Sequence, residues 1–85
     1  PDDKRFPCLQ LARSAGSTGG TMPAVLNAAN EIAVHRFLRE DIRFPGIWKI
    51  VEEVMNQHNL VEQPSLDDVG EADRWARTAA EEIGC

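Results

Sequence analysis

Between Met22 and Phe37 the apolar side chains fall at Met22, Val25, Leu26, Ala29, Ile32, Ala33 and Phe37. Steps of three and four residues gather them on one broad face of an α-helix, whereas a strand would scatter them over both sides of a sheet. At about 100° per residue, Asn27 and Glu31 lie opposite that face and Asn30 lies at its edge. Val34 and Leu38 fall on the same side as Asn27 and Glu31, so the second face is mixed rather than purely polar. A helix of this kind is either central to its own fold or set against a second body.

The rest of the chain is punctuated to match. FPCLQLARSAG reads as a first helix, with Pro7 in its first turn, Cys8, Leu11, Ala12 and Ala15 at helical spacing, and Gly16 as its stop. The polar loop through Ser17 and Gly20 follows, and Thr21 stands as N-cap of the central helix, which ends around Arg39, Glu40 and Asp41. Pro45 pushes Phe44 toward extended geometry, so a short extended segment is expected at Ile42–Phe44. A third helix is expected from Pro45 to His58 with Ile47, Ile50, Val51, Val54 and Met55 on one face. The fourth starts at Ser65, whose spacing to Asp68 is a short form of the capping box, and ends at Gly84. Its stripe of Val69, Ala72, Ala76, Ala79, Ala80 and Ile83 is narrow and small, which permits close helix packing. The expected fold is all-α: a small four-helix bundle with at most one short extended segment near Ile42–Phe44.

With 85 residues the chain forms one domain, burying about 60–65% of its unfolded surface. It opens with Pro1 rather than Met, and PDDKR reads as the tail of a linker, so residues 1–5 are expected to be linker and residues 6–85 a helical domain of something longer. A net charge of −5 with scattered basic residues argues against nucleic acid as a partner. No apolar run reaches the roughly 18 residues of a membrane span, and no charged-then-apolar leader opens these residues. Cys8 reads as a small buried hydrophobe and Cys85 as a free terminal thiol; neither a disulfide between them nor a zinc site is expected, and the cysteine usage fits an intracellular setting.

Chemistry is scarce. GSTGG lacks the GK[ST] ending of a phosphate loop and no strand precedes it, so it reads as a turn and not as a dinucleotide fingerprint. His35 and His58 have no metal-ligand spacing, and His58, near a helix C-terminus, suits an imidazole electrostatically. Arg36, Arg39 and Arg43 read as basic residues near a helix's negative pole. The adjacent carboxylates Glu52/Glu53, Asp67/Asp68 and Glu81/Glu82 diverge on a helix and make no catalytic dyad. Trp48 and Trp75 read as core or interface anchors. NAANE remains, and residue chemistry alone leaves two readings open for Asn27, Asn30 and Glu31: local structural polar contacts, or a contact surface for another domain.

PDDKRFPCLQLA, GGTMPAVLNAANEIAVHRFL, IRFPGI and SLDDVGEADRWAR, in that order and spacing, resemble the C-terminal domain of 1-deoxy-D-xylulose 5-phosphate reductoisomerases. RFPCLQLA (Arg5–Ala12) and PAVLNAANEIAV (Pro23–Val34) are the most specific blocks, and Pro45 departs from the Thr the family pattern suggests. The resemblance implies a parent with an N-terminal NADPH-binding domain, a central domain binding substrate and a divalent metal (Mg or Mn), and a C-terminal helical bundle. Such a parent reduces and rearranges 1-deoxy-D-xylulose 5-phosphate to 2-C-methyl-D-erythritol 4-phosphate in the non-mevalonate isoprenoid route. It is a fosmidomycin-sensitive homodimer of a bacterial cytoplasm or a plastid stroma. The family's catalytic, metal and dinucleotide motifs lie in the other domains, so no catalytic, cofactor-binding or metal residue carries over to this chain. Its role is then to buttress the catalytic domain, with Asn27, Asn30 and Glu31 as the candidate interdomain contacts. The rivals are a free-standing helical module that binds a protein partner, and the same domain in a diverged reductoisomerase-like oxidoreductase.

Overall fold

A computed structural model describes residues 7–84, with side chains from Leu11 onward. The expected linker, the burial of Cys8 and the thiol of Cys85 therefore lie outside the described residues. Four helices follow in chain order: α1 (Pro7–Thr18), α2 (Met22–Leu38), α3 (Gly46–Gln57) and α4 (Leu66–Glu82). The described residues contain no strand, so the chain is an all-α bundle.

α2 is the central element and packs against α1, α3 and α4. Its expected apolar face goes inward: Val25, Ala29 and Ala33 are fully buried, with Met22, Leu26, Ile32 and Phe37 packed around the core. Two residues not counted on that face, Ala28 and Arg36, are buried with them. α3 turns Ile47, Ile50, Val51, Val54 and Met55 into the core as its periodicity predicts. On α4 the small stripe is the buried face: Ala72, Ala76 and Ala80 go inward, with Ala79 and Ile83 partly buried beside them. Alanine against alanine lets α2 and α4 approach closely, and every methyl group at that contact is felt.

Three element ends differ in detail from expectation. α1 runs through Gly16 to Thr18, and the stop comes at Gly19, φ +69°, whose N–H donates to the Ala15 carbonyl at 2.9 Å. Gly16 keeps helical geometry because nothing there demands a left-handed residue, whereas positions 19 and 20 both do. Thr21 precedes α2 but makes no capping bond; its side chain is used elsewhere. The expected extended stretch at Ile42–Phe44 is instead bend and turn: the Gly46 and Ile47 N–H groups donate to the carbonyls of Arg43 and Phe44 at 2.8 and 3.1 Å. Pro45 is thereby the N-cap residue of α3. The Ser65 capping box forms in full, Asp68 N–H to Ser65 Oγ at 3.1 Å and Ser65 N–H to Asp68 Oδ2 at 3.0 Å.

Candidate interdomain face

Asn27, Asn30 and Glu31 are all exposed on α2. Asn27 and Asn30 make no side-chain hydrogen bond within the described residues, so their amides are available to an outside partner. Glu31 is not: its carboxylate accepts from Arg77 of α4 at 2.8 Å, and Arg77 also donates to Asp73 at 2.9 Å. That hydrogen bond from Arg77, and the guanidinium's charge, hold the Glu31 carboxyl below its ordinary pKa and raise Arg77 in turn. The structure thus divides the NAANE face: Glu31 helps tie α2 to α4, while the two asparagines present free amide groups. Half-buried Val34 and exposed Leu38 continue the same stripe.

Arg36, read from sequence as one of several residues at a helix's negative pole, reaches across to the C-terminus of α4 instead. Only 6% exposed, its Nη1 donates to the carbonyls of Ala80 and Ile83 at 2.8 and 2.6 Å, and its Nε to Asp41 at 2.7 Å. These carbonyls at the end of α4 have no partner inside the helix, and a cation there meets the negative end of the helix dipole. Arg39 makes the exposed version of the same link, to Glu81 at 2.7 Å. The signal for Arg36 was its position: eight residues beyond Ala28 and three beyond Ala33, it sits in the middle of α2's buried arc.

Thr21 is fully buried and knits three segments together. Its N–H donates to the Val61 carbonyl, and the Val61 N–H donates back to Thr21 Oγ1, both at 3.1 Å. Oγ1 also lies 2.6 Å from His58 Nε2. The hydroxyl proton of a buried threonine needs an acceptor, which assigns His58 as neutral imidazole with its proton on Nδ1. Burial pushes the His58 pKa down, which favours the neutral ring at the end of α3. Its ring lies against Trp75 with centroids 5.3 Å apart, and Trp48 stacks edge-on to Phe44. Trp48 is thus a half-buried packing anchor, while Trp75, though set against His58, remains exposed.

No group of three His, Cys, Asp or Glu side chains among the described residues is placed to hold a metal ion, and no described helix is long and apolar enough to cross a membrane. Nor do the described residues fit a dinucleotide: the glycine-rich turn at 19–20 abuts the Val61 backbone and opens no βαβ unit.

Comparison with known proteins places these helices in a family. The family model for the DXP reductoisomerase C-terminal domain matches residues 1–79. The chain is 57% identical to the 1-deoxy-D-xylulose 5-phosphate reductoisomerase of Pelotomaculum thermopropionicum, over 91% of this chain and 20% of that protein. It is 56% identical to that of Symbiobacterium thermophilum, over 96% of this chain and 21% of that protein. The solved structure of the Zymomonas mobilis reductoisomerase in complex with NADPH superposes with a TM-score of 0.87 and 47% identity, covering 95% of this chain and 21% of that one. The chain spans about a fifth of the length of the curated relatives it matches. The chain belongs to the DXP reductoisomerase family, as its C-terminal domain.

Proposed function

We propose that this chain is the non-catalytic supporting domain of an enzyme that converts 1-deoxy-D-xylulose 5-phosphate to 2-C-methyl-D-erythritol 4-phosphate. NADPH and a divalent metal, Mg or Mn, would be held by the rest of the polypeptide, in a homodimer of a bacterial cytoplasm or a plastid stroma. The observation that carries this reading is the match of 95% of the chain to one fifth of an NADPH-bound reductoisomerase. It is joined by the chemistry of the described residues, which offer neither a carboxylate cluster nor a dinucleotide turn.

The helical domain acts by buttressing its catalytic neighbour. Asn27 and Asn30 present exposed amides, each able to donate and accept, and Glu31 is held in place beside them by Arg77. Amides suit such a contact because they pair with backbone groups without the desolvation cost of a buried charge.

The test is an assay of the full-length polypeptide carrying this chain. With substrate and Mg²⁺ it should oxidise NADPH, and the 85 residues alone should not. Turnover by the 85 residues would overturn the supporting role. A full-length protein inert toward 1-deoxy-D-xylulose 5-phosphate would mark the diverged reductoisomerase-like enzyme instead. Replacing Asn27 and Asn30 together by Arg in the full-length protein should lower its activity. Unchanged activity would remove these residues from the contact.

A further inference from the structure

Leu38 and Phe44 are 70% and 60% exposed, side by side at the turn between α2 and α3. They are not isolated. Phe44 makes edge-to-face contacts with Phe37 and Trp48, both with ring centroids 5.7 Å apart, so it is held in place rather than waving in solvent. Together with Phe37, Ile42 and Lys49 they line an open cleft of about 910 Å³. Glu40, at φ +63°, sits in the turn that lines the cleft, and Asp41 on its rim is taken up by Arg36. Arg43 and Lys49, also on the rim, make no ion pair among the described residues, and Glu40 is the one acid there left without one.

Three features narrow what fills this cleft. It is continuous with the outer stripe of α2, because Asn27, Glu31, Val34 and Leu38 stand four, three and four residues apart, one above another on the helix. Its floor is apolar and its rim carries more unpaired cation than acid, in a chain whose net charge is −5. And about four fifths of the length of the relatives lies outside the part this chain matches, which on the supporting-domain reading supplies a large body to cover it. We propose that this cleft is the apolar anchor point of the domain contact, seating a large apolar side chain with an adjacent carboxylate from the preceding part of the same polypeptide. The assignment rests on the supporting-domain reading and adds to it: the asparagines supply hydrogen bonds, while Leu38 and Phe44 supply the buried apolar centre that such contacts require.

Hydroxyl-radical footprinting of the full-length polypeptide tests this with an internal control. Leu66 is 91% exposed at the start of α4, so Leu38 and Leu66 should oxidise at similar rates if both stay open. With the cleft filled, Leu38 should oxidise about tenfold more slowly than Leu66, as expected of a side chain in a water-excluding interface core. Equal rates overturn the assignment, and so does protection that disappears on dilution, which would place a second copy in the cleft. If Leu66 proves covered as well, Leu38→Asp decides. The side chain is exposed enough for the bundle itself to tolerate the change, so a lowered melting temperature of the full-length protein supports the assignment and an unchanged one overturns it. An open Leu38, in a protein whose activity still falls on Asn27→Arg and Asn30→Arg, sinks the cleft alone. Unaffected activity in that double variant sinks the supporting-domain contact with it.

Discussion

At the scale of single residues, three positions bear more of the fold than their types suggest. Gly20 has φ +56°, and a Cβ there would run into the Val61 carbonyl oxygen. Gly20→Ala therefore meets both backbone strain and a clash with main chain that Thr21 holds in place, and should cost about 2 kcal/mol or more in urea unfolding. Gly16→Ala, with open space around it and helical geometry, should instead stabilise by about 0.5–1 kcal/mol. Arg36→Met removes the partner of two carbonyls at the end of α4 and strands the groups it leaves behind, a loss of about 2–3 kcal/mol. In Arg39→Met the lost ion pair is solvent-exposed and screened, so stability should change far less in the same measurement. His58 gives a pH dependence of known sign. Its folded pKa lies below the ordinary value of about 6.5, so the unfolded chain takes up the proton first. The stability tied to neutral His58 is complete above that ordinary value and is lost as pH falls toward the lower folded one. His58→Gln should flatten the stability curve as pH falls below the ordinary histidine value of about 6.5, and an unchanged slope would mean that the Thr21 contact does not depend on the ring's charge.

At the scale of elements, the α2–α4 contact is set by small residues. Ala29 and Ala33 of α2 and Ala76 and Ala80 of α4 are all fully buried, so no cavity stands ready for a longer side chain. Ala76→Leu should force the helices apart and cost about 1–3 kcal/mol, while Thr78→Leu on the exposed face should stay within about 0.5 kcal/mol. Calorimetric melting of both variants checks the pair. This contact was legible in sequence, because a stripe of alanines at helical spacing has one economical use. The faces of α2 and α3 and the capping box of α4 were legible for the same reason: each is a local pattern with a local cause. What could not be read are the links between segments distant in sequence. Arg36 meets Ala80 and Ile83, and Thr21 meets His58 and Val61, across gaps of about forty residues. Residue type misleads in both cases, since a buried arginine and a threonine before a helix each have a more usual reading. The candidate contact face was half legible. The asparagines stand out on a helix that spacing defines, but the Glu31–Arg77 bond and the cleft at Phe44 depend on how α4 and the α2–α3 turn are placed.

At the scale of the whole molecule, the division between what holds the bundle together and what faces outward yields a prediction that separates the two. Asn27 and Asn30 are exposed and bond nothing among the described residues, so the bundle has no use for them. Replacing both by arginine in the isolated chain should leave its stability within about 0.5 kcal/mol per site, the range of ordinary surface changes. In the full-length polypeptide the same pair would place two cations on the face proposed to meet another domain. Leaving a charge desolvated and unpaired there should cost about 2 kcal/mol or more of the contact. Differential scanning calorimetry of both forms reads the difference. A lowered or split transition in the full-length protein, with an unmoved one in the chain alone, marks the face as an interface. Equal and small shifts in both would return Asn27 and Asn30 to the solvated surface of α2. A large shift in the chain alone would mean that the asparagines serve the bundle itself, and the contact would then have to be sought further along the stripe at Val34 and Leu38.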